Sequence, residues 1–212
     1  MGIIRNGILG GFRNKVGNIV GSSWRTLDVI KAYPKASKKE KTQAQLDQQA
    51  RFKIVSTIIT DLAEVINVGF KAYGNVVTPR NAAFKVNMQY VTGLSPNFSF
   101  NYELLQFSKG SLNSGRDVVV STIAGSKLKF AWSNDFEDPR ESGTDMATLV
   151  VYSPELDKWV TLINAAPRSA KQYTLQMPAS FMGHEVMCYL SFASVTKRLA
   201  SNTLFIATLP AI

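Results

Sequence analysis

The chain has 212 residues, 45% of them hydrophobic, which is enough to bury a core and too apolar for wholesale disorder. A single cysteine, Cys188, and a single histidine, His184, exclude an intramolecular disulfide and a Cys/His zinc site. The net charge of +9 is unevenly placed: residues 1–53 hold eleven Lys/Arg against three acids, whereas residues 96–212 hold ten of each sign. A basic front of this kind points to nucleic acid, an anionic surface or an acidic partner. No apolar run reaches the ~18 residues of a membrane helix. Met1-Gly2-Ile3-Ile4-Arg5-Asn6 carries no apolar signal core, and Asn6 stands where a myristoylation motif has Ser or Thr. We therefore expect cytoplasmic synthesis, no signal peptide and no membrane insertion.

Residues 1–36 contain Gly2, Gly7, Gly10, Gly11, Gly17 and Gly21 among β-branched residues. Extended stretches are expected near 15–24 and 27–33, with a turn at Arg25-Thr26, as a β-hairpin or arm. Large apolar residues are too few there for a separate core. Pro34 to Lys41 is a Lys-rich connector. Thr42 with Gln45 fits a capping box, and Leu46, Ala50, Ile54, Ile58, Leu62 and Val65 follow at helical spacing. Val55, Ile59, Ile66 and Phe70 widen that stripe into a face expected to be mostly buried, ending at Gly69 or Gly74. Thr78-Pro79 reads as an N-cap and first helical residue of a second helix running to about Val91, with Gly93 as its stop.

From Pro96 onward, alternation with period 2 replaces period 3.6. Strands are expected at 98–108, 116–122, 126–133, 145–153, 158–164, 170–177, 184–195 and 201–209, separated by turn residues such as Ala124-Gly125 and Ser153-Pro154. In 184–192, Val186, Cys188, Leu190 and Phe192 face one way; Met187, Tyr189 and Ser191 face the other. Short strands at this spacing, with Trp132 on an early one, resemble a fibronectin type III or immunoglobulin-like sandwich.

Chemically poised clusters are sparse. His184 is read as an ordinary turn residue and Cys188 as a buried, inert thiol. The glycines of Gly7-Ile8-Leu9-Gly10-Gly11 lack the Gly-Lys-Ser/Thr of a phosphate loop. Asp135, Glu137, Asp138, Glu141 and Asp145 form the densest acidic group, without EF-hand spacing, and read as a solvated loop. No metal, cofactor or catalytic residue is expected.

The run from Gly10-Gly11-Phe12 through Lys15-Val16-Gly17 to Trp24, then Val29-Ile30-Lys31, Pro34, Thr42-Gln43-Ala44-Gln45 and Gln49-Ala50-Arg51-Phe52, resembles an uncharacterised Bacteroidota family, a domain of unknown function of about this length. The likeness continues through Val68-Gly69-Phe70-Lys71, Asn81-Ala82-Ala83, Leu149-Val150-Val151-Tyr152 and Val186-Met187-Cys188-Tyr189. Arg13-Asn14 stand where family members often carry a small Ser-Gly pair. The resemblance implies no activity and no catalytic residue. A glycine-rich arm, a proline and a Thr-x-x-Gln helix start are also similar to phage and prophage virion proteins.

The expected fold is α+β: a basic β-arm or hairpin and a helical hairpin in residues 1–95, then an immunoglobulin/fibronectin III-like β-sandwich in 96–212. The expected role is non-catalytic: a self-associating or particle-associated structural protein, virion-like, forming a homo-oligomer or larger particle. Phe12, Lys15, Val16, Val20, Trp24 and Val29 are the expected subunit contacts. One alternative is nucleic-acid binding through Arg5, Arg13, Lys15, Arg25, Lys31, Lys35, Lys38, Lys39, Lys41 and Arg51. Another is an adhesin-like module built on the sandwich loops.

Overall fold

In a computed structural model of the chain, which describes residues 2–4, 11–24, 27–35, 39–73, 77–133, 139–195 and 198–212, the glycine- and valine-rich N-terminus folds into four antiparallel strands. These are β1 (Gly2–Ile4), β2 (Asn14–Val16), β3 (Ile19–Trp24) and β4 (Leu27–Ala32), in the order β1-β4-β3-β2. The two stretches expected at 15–24 and 27–33 thus pair with each other, Trp24 opposite Leu27 and Ile19 opposite Ala32. The turn expected at Arg25-Thr26 lies outside the described residues. Gly21 marks a close approach: a Cβ there would overlap the Phe12 carbonyl oxygen and ring. Residues 1–42 form one unit and residues 43–212 another. That division differs from the 95/96 boundary read from sequence texture, because the helices share a core with the sandwich.

In the second unit, α1 (Gln43–Asp61) and α2 (Ala63–Gly69) meet at Leu62. The helical hydrogen bonds continue across the junction, from Leu62 N–H to Ile58 O and from Ile66 N–H to Leu62 O. The apolar stripe is buried only from Val55 onward, through Ile58, Ile59, Leu62, Val65, Ile66 and Phe70. Leu46, expected on the buried face, is exposed. In the first turns Gln43 donates to the Ser95 hydroxyl at the tip of a hairpin, and that hydroxyl donates to Asp47. In α3 (Pro79–Asn87), the Thr78 hydroxyl accepts from Asn81 N–H and Pro79 opens the helix. The chain then passes through a 3-10 turn into β5 (Val91–Leu94), paired with β6 (Asn97–Phe100). Gly93 is therefore a strand residue with φ +98° rather than a helix stop. The strand expected over 98–108 ends at Phe100, since Tyr102–Leu104 is a 3-10 turn.

The remaining strands follow the expected spans closely. β7 (Arg116–Ile123), β8 (Lys127–Ser133) and β11 (Gln172–Gln176) form one sheet, ordered β11-β8-β7. β9 (Met146–Ser153), β10 (Lys158–Leu162), β12 (Glu185–Ala193) and β13 (Leu204–Pro210) form the other, ordered β10-β9-β12-β13. Leu149, Val151, Val186, Cys188, Leu190 and Phe192 pack with Leu128, Phe130 and Trp132 of the facing sheet. Val150, Tyr152, Met187 and Tyr189 point the opposite way and share a second core with the helices. The unit has three layers: helices, a four-stranded sheet and a three-stranded sheet. Each fully buried Leu, Ile, Val or Phe contributes roughly 1.5–3 kcal/mol.

Several polar side chains at the layer junctions are hydrogen-bonded. Asn87 Nδ2 donates to Ala83 O (2.8 Å) and Gln106 O (2.7 Å), and its Oδ1 accepts from Gln106 N–H. Thr203 Oγ1 accepts from the N–H groups of Phe107 and Ser108, each at 2.9 Å. At one end of the sandwich, buried Arg168 lies 3.9 Å from the Phe192 ring centroid. Its Nε is 3.8 Å from Asp145 Oδ2. Asp145 was expected in a solvated loop but is fully buried; Arg168 and the Ser142 N–H supply the charge and hydrogen bond that make this burial tolerable. Asp135, Glu137 and Asp138 lie outside the described residues.

Gly69 sits where α2 meets this junction, its carbonyl accepting from Lys109 N–H at 3.1 Å. A Cβ would overlap the Phe107 carbonyl oxygen and approach Ser108 Cα to 2.6 Å. Gly69→Ala should therefore cost about 1–3 kcal/mol despite alanine's better helix propensity. Thermal denaturation followed by circular dichroism will read this as a lower Tm.

Candidate functional site

Register places the basic residues of the N-terminal sheet. Lys15 pairs with Val20 and Val20 with Lys31, so the three share a row and a face; Ser22 and Val29 follow two residues along. The opposite face carries Val16, Ile19 and Ala32 in one row and Asn14, Gly21 and Ile30 in the next. Phe12 lies against Gly21 on that second face. The expected subunit contacts are thus split: Lys15, Val20 and Val29 on one face, Phe12 and Val16 on the other. Trp24 occupies the end of β3.

Val16 is 59% exposed and Ile19 37%, and no apolar side chain among the described residues of 11–35 is buried. The Lys15 ammonium stands 4.0 Å from the Tyr33 ring centroid. Arg13, Lys31, Lys35, Lys39 and Lys41 are exposed, while Arg5, Arg25 and Lys38 lie outside the described residues. Arg51 belongs to the other unit: it sits on α1 with its guanidinium 4.6 Å from the Phe98 centroid.

Among the described residues no group of three His, Cys, Asp or Glu is placed to hold a metal ion. No helix of the described residues is long and apolar enough to cross a membrane. His184 Nδ1 lies 2.5 Å from Glu155 Oε2 at the surface. The Cys188 thiol is fully buried, and burial pushes its pKa up to about 12.

A second feature was not read from the sequence. Between α1, the β5–β6 hairpin and the β9–β10 turn lies a cleft of about 400 Å³, lined by Ile54, Thr57, Asp61, Phe98, Tyr102, Asp157 and Trp159, with Lys53 at its wall. Tyr152 lies beneath, its ring centroid 4.4 Å from Tyr102 and 4.1 Å from Trp159, each pair inclined by 25°. The Tyr152 hydroxyl donates to Asp157 Oδ1 at 2.9 Å. Asp157 holds φ +48° in the hairpin turn, a conformation aspartate tolerates better than most residues. Desolvation raises the pKa of Asp61, and the nearby charge of Asp157 raises it further. The expected strands 145–153 and 158–164 already set Tyr152 near Trp159, and these two are cross-strand partners. Tyr102 was hidden because it was assigned to a strand.

Residues 11–207 match the model of a family of unknown function, DUF6266. The chain belongs to this family. No curated protein matches it. Among solved structures it is similar to the fn3 domain of human collagen alpha-1(XX) chain, at 15% identity and TM-score 0.35, covering 48% of this chain and 90% of that one. It is also similar to the fn3 domain of human contactin 1, at 11% identity and TM-score 0.31, covering 57% and 93%. The FN1-FN3 domains of chicken CNTN1 match at 11% identity and TM-score 0.31, covering 48% and 32%.

Two outcomes follow from these side chains in the DUF6266 chain. Cys188 should resist a disulfide-exchange reagent at pH 8 in the native state and react within seconds once denatured; the released chromophore measures both. Asp61→Asn should raise stability slightly at neutral pH. A carboxyl whose folded pKa is raised loses folded-state stability as pH rises through that pKa, and the amide removes this loss. The gain, about 1 °C in Tm for so exposed a group, should vanish at acid pH, where Asp61 is already neutral; parallel melts at the two pH values check it.

Proposed function

We propose that the protein is a non-catalytic assembly protein whose N-terminal sheet packs on a neighbouring copy. The observation that carries this reading is the single layer of that sheet. Its described apolar side chains find no buried environment, and Val16 and Ile19 stand exposed in one row. A two-sided sheet of this kind gains stability by acquiring a second layer or a paired edge. The unit of residues 43–212, by contrast, buries a large core of its own. A particle-associated role of virion type is one form such an assembly would take.

The opposite face favours a second reading. Lys15 and Lys31 flank Val20 in one row, with Tyr33 beside Lys15, an arrangement suited to phosphate contact. The two faces allow the readings to be separated in the full chain. Light scattering on the size-exclusion eluate, with absorbance read at nucleic-acid and protein wavelengths, should give a discrete multiple of the 23.3 kDa chain free of nucleic acid. Val16→Asp with Ile19→Asp should reduce that mass to the monomer, with the circular dichroism spectrum kept. A wild-type monomer, or an unchanged mass in the variant, overturns assembly through this face. Co-eluting nucleic acid, lost at high salt and in Lys15→Glu with Lys31→Glu, establishes the second reading in its place.

A further inference from the structure

The cleft between α1 and the β9–β10 turn combines two kinds of surface. Part of its lining is aromatic, with Tyr102 and Trp159 backed by stacked Tyr152, and with Phe98 also lining the cleft. Two carboxylates from different elements also line it, Asp61 at the end of α1 and Asp157 in the hairpin turn beside Trp159. Tyr152 fixes Asp157 by its hydroxyl hydrogen bond. Among the described residues no ion pair joins either carboxylate to a cation, and Lys53 lines the cleft without pairing to them.

The same molecule shows what such a set holds. Arg168 is clasped between the Phe192 ring, at 3.9 Å, and Asp145, at 3.8 Å. A guanidinium stacks on aromatic rings and bonds carboxylates through its planar fork, which an ammonium does less well. A volume of about 400 Å³ suits a group of that size with its aliphatic stem.

We propose that this cleft is a binding site for a guanidinium group, held between the Tyr102 and Trp159 rings and the carboxylates of Asp61 and Asp157. The site is independent of the N-terminal sheet and of its assembly. The guanidinium belongs either to an arginine side chain of a polypeptide or to a small free ligand.

Isothermal titration of the full chain with blocked arginine (N-acetyl-arginine methylamide) should show saturable binding with Kd on the order of 1 mM. Blocked citrulline, which is isosteric and neutral, should give no binding heat. Asp61→Asn with Asp157→Asn should weaken blocked arginine at least tenfold; both positions are exposed, so the fold is kept, and a melting curve verifies this. Lys53→Gln should tighten binding by removing a like charge. Stronger binding of blocked arginine than of n-butylguanidinium identifies a polypeptide source, and the reverse order a small molecule. Equal affinity for citrulline, no effect of the double amide variant, or no binding heat at ten times the expected Kd each overturns the proposal.

Discussion

Burial of one sheet on both faces is the constraint on which the rest of the second unit depends. β9 and β12 carry apolar side chains at successive positions, so neither face tolerates water. One face is closed by the three-stranded sheet, through Leu149, Val151, Cys188 and Leu190. The other is closed by α1 and α2, through Val150, Tyr152, Met187 and Tyr189. The helices are therefore a layer of the sandwich unit and not a separate domain. Without them, Tyr189 and Tyr152 would present a broad apolar surface to solvent. The outer face of the three-stranded sheet has no such need, and there β7 alternates, with Val119 exposed.

Adding a helical layer brings backbone ends and turns into the interior, where each polar group needs a partner. At the loop after Leu105 the chain meets this with short side chains held by local geometry. Asn87 satisfies one loop with two hydrogen bonds to Gln106 and a third to Ala83 O of its own helix, and Thr203 accepts two adjacent N–H groups. Gly69 lets the helix end approach the same loop. Arg168 and Asp145 do the equivalent work at one end of the sandwich. Burial pushes the pKa of Arg168 down and the charges of Asp145 and Glu141 oppose that, so removing Asp145 would take away the larger of the two compensating charges. These junctions make the layers register with one another, which apolar packing alone does not enforce.

What the sequence made legible follows from this arrangement. From Arg116 onward the strands were readable to within three residues at each end, because period-2 alternation and Gly, Pro and Asn/Asp punctuation are local signals. Thr78-Pro79 was readable for the same reason. The opposed facing of Cys188 and Tyr189 was also visible, but not what each face meets, since that is set by segments far away in the chain, Leu128–Trp132 for one and Val55–Phe70 for the other. Texture changes at Pro96 while the packing boundary falls near residue 42, because periodicity reports local conformation and a boundary reports contacts. Asp145 read as solvated for want of any sign of Arg168. The aromatic cleft needed Tyr102, which a 3-10 turn places beside a hairpin fifty residues later.

Charge separates the two units as sharply as packing does. Residues 1–42 hold nine Lys/Arg and two acids, a net of +7; residues 43–212 hold fifteen and thirteen, a net of +2. A unit with so much like charge and no buried apolar side chain among its described residues lacks the usual means of self-stabilisation. On one face the Phe12 backbone and ring lie over Gly21. That cover stops short of Val16 and Ile19, and the lysine row lies on the reverse side. The exposed valine and isoleucine thus lie on the Phe12 face, and Lys15 and Lys31 on the opposite one, flanking Val20. In the proposed assembly, stacking two lysine faces would bring like charges together, so the Val16–Ile19 face is the one that two copies can share. The lysines are then left facing outward, where an anionic surface would meet them without competing for the same contacts.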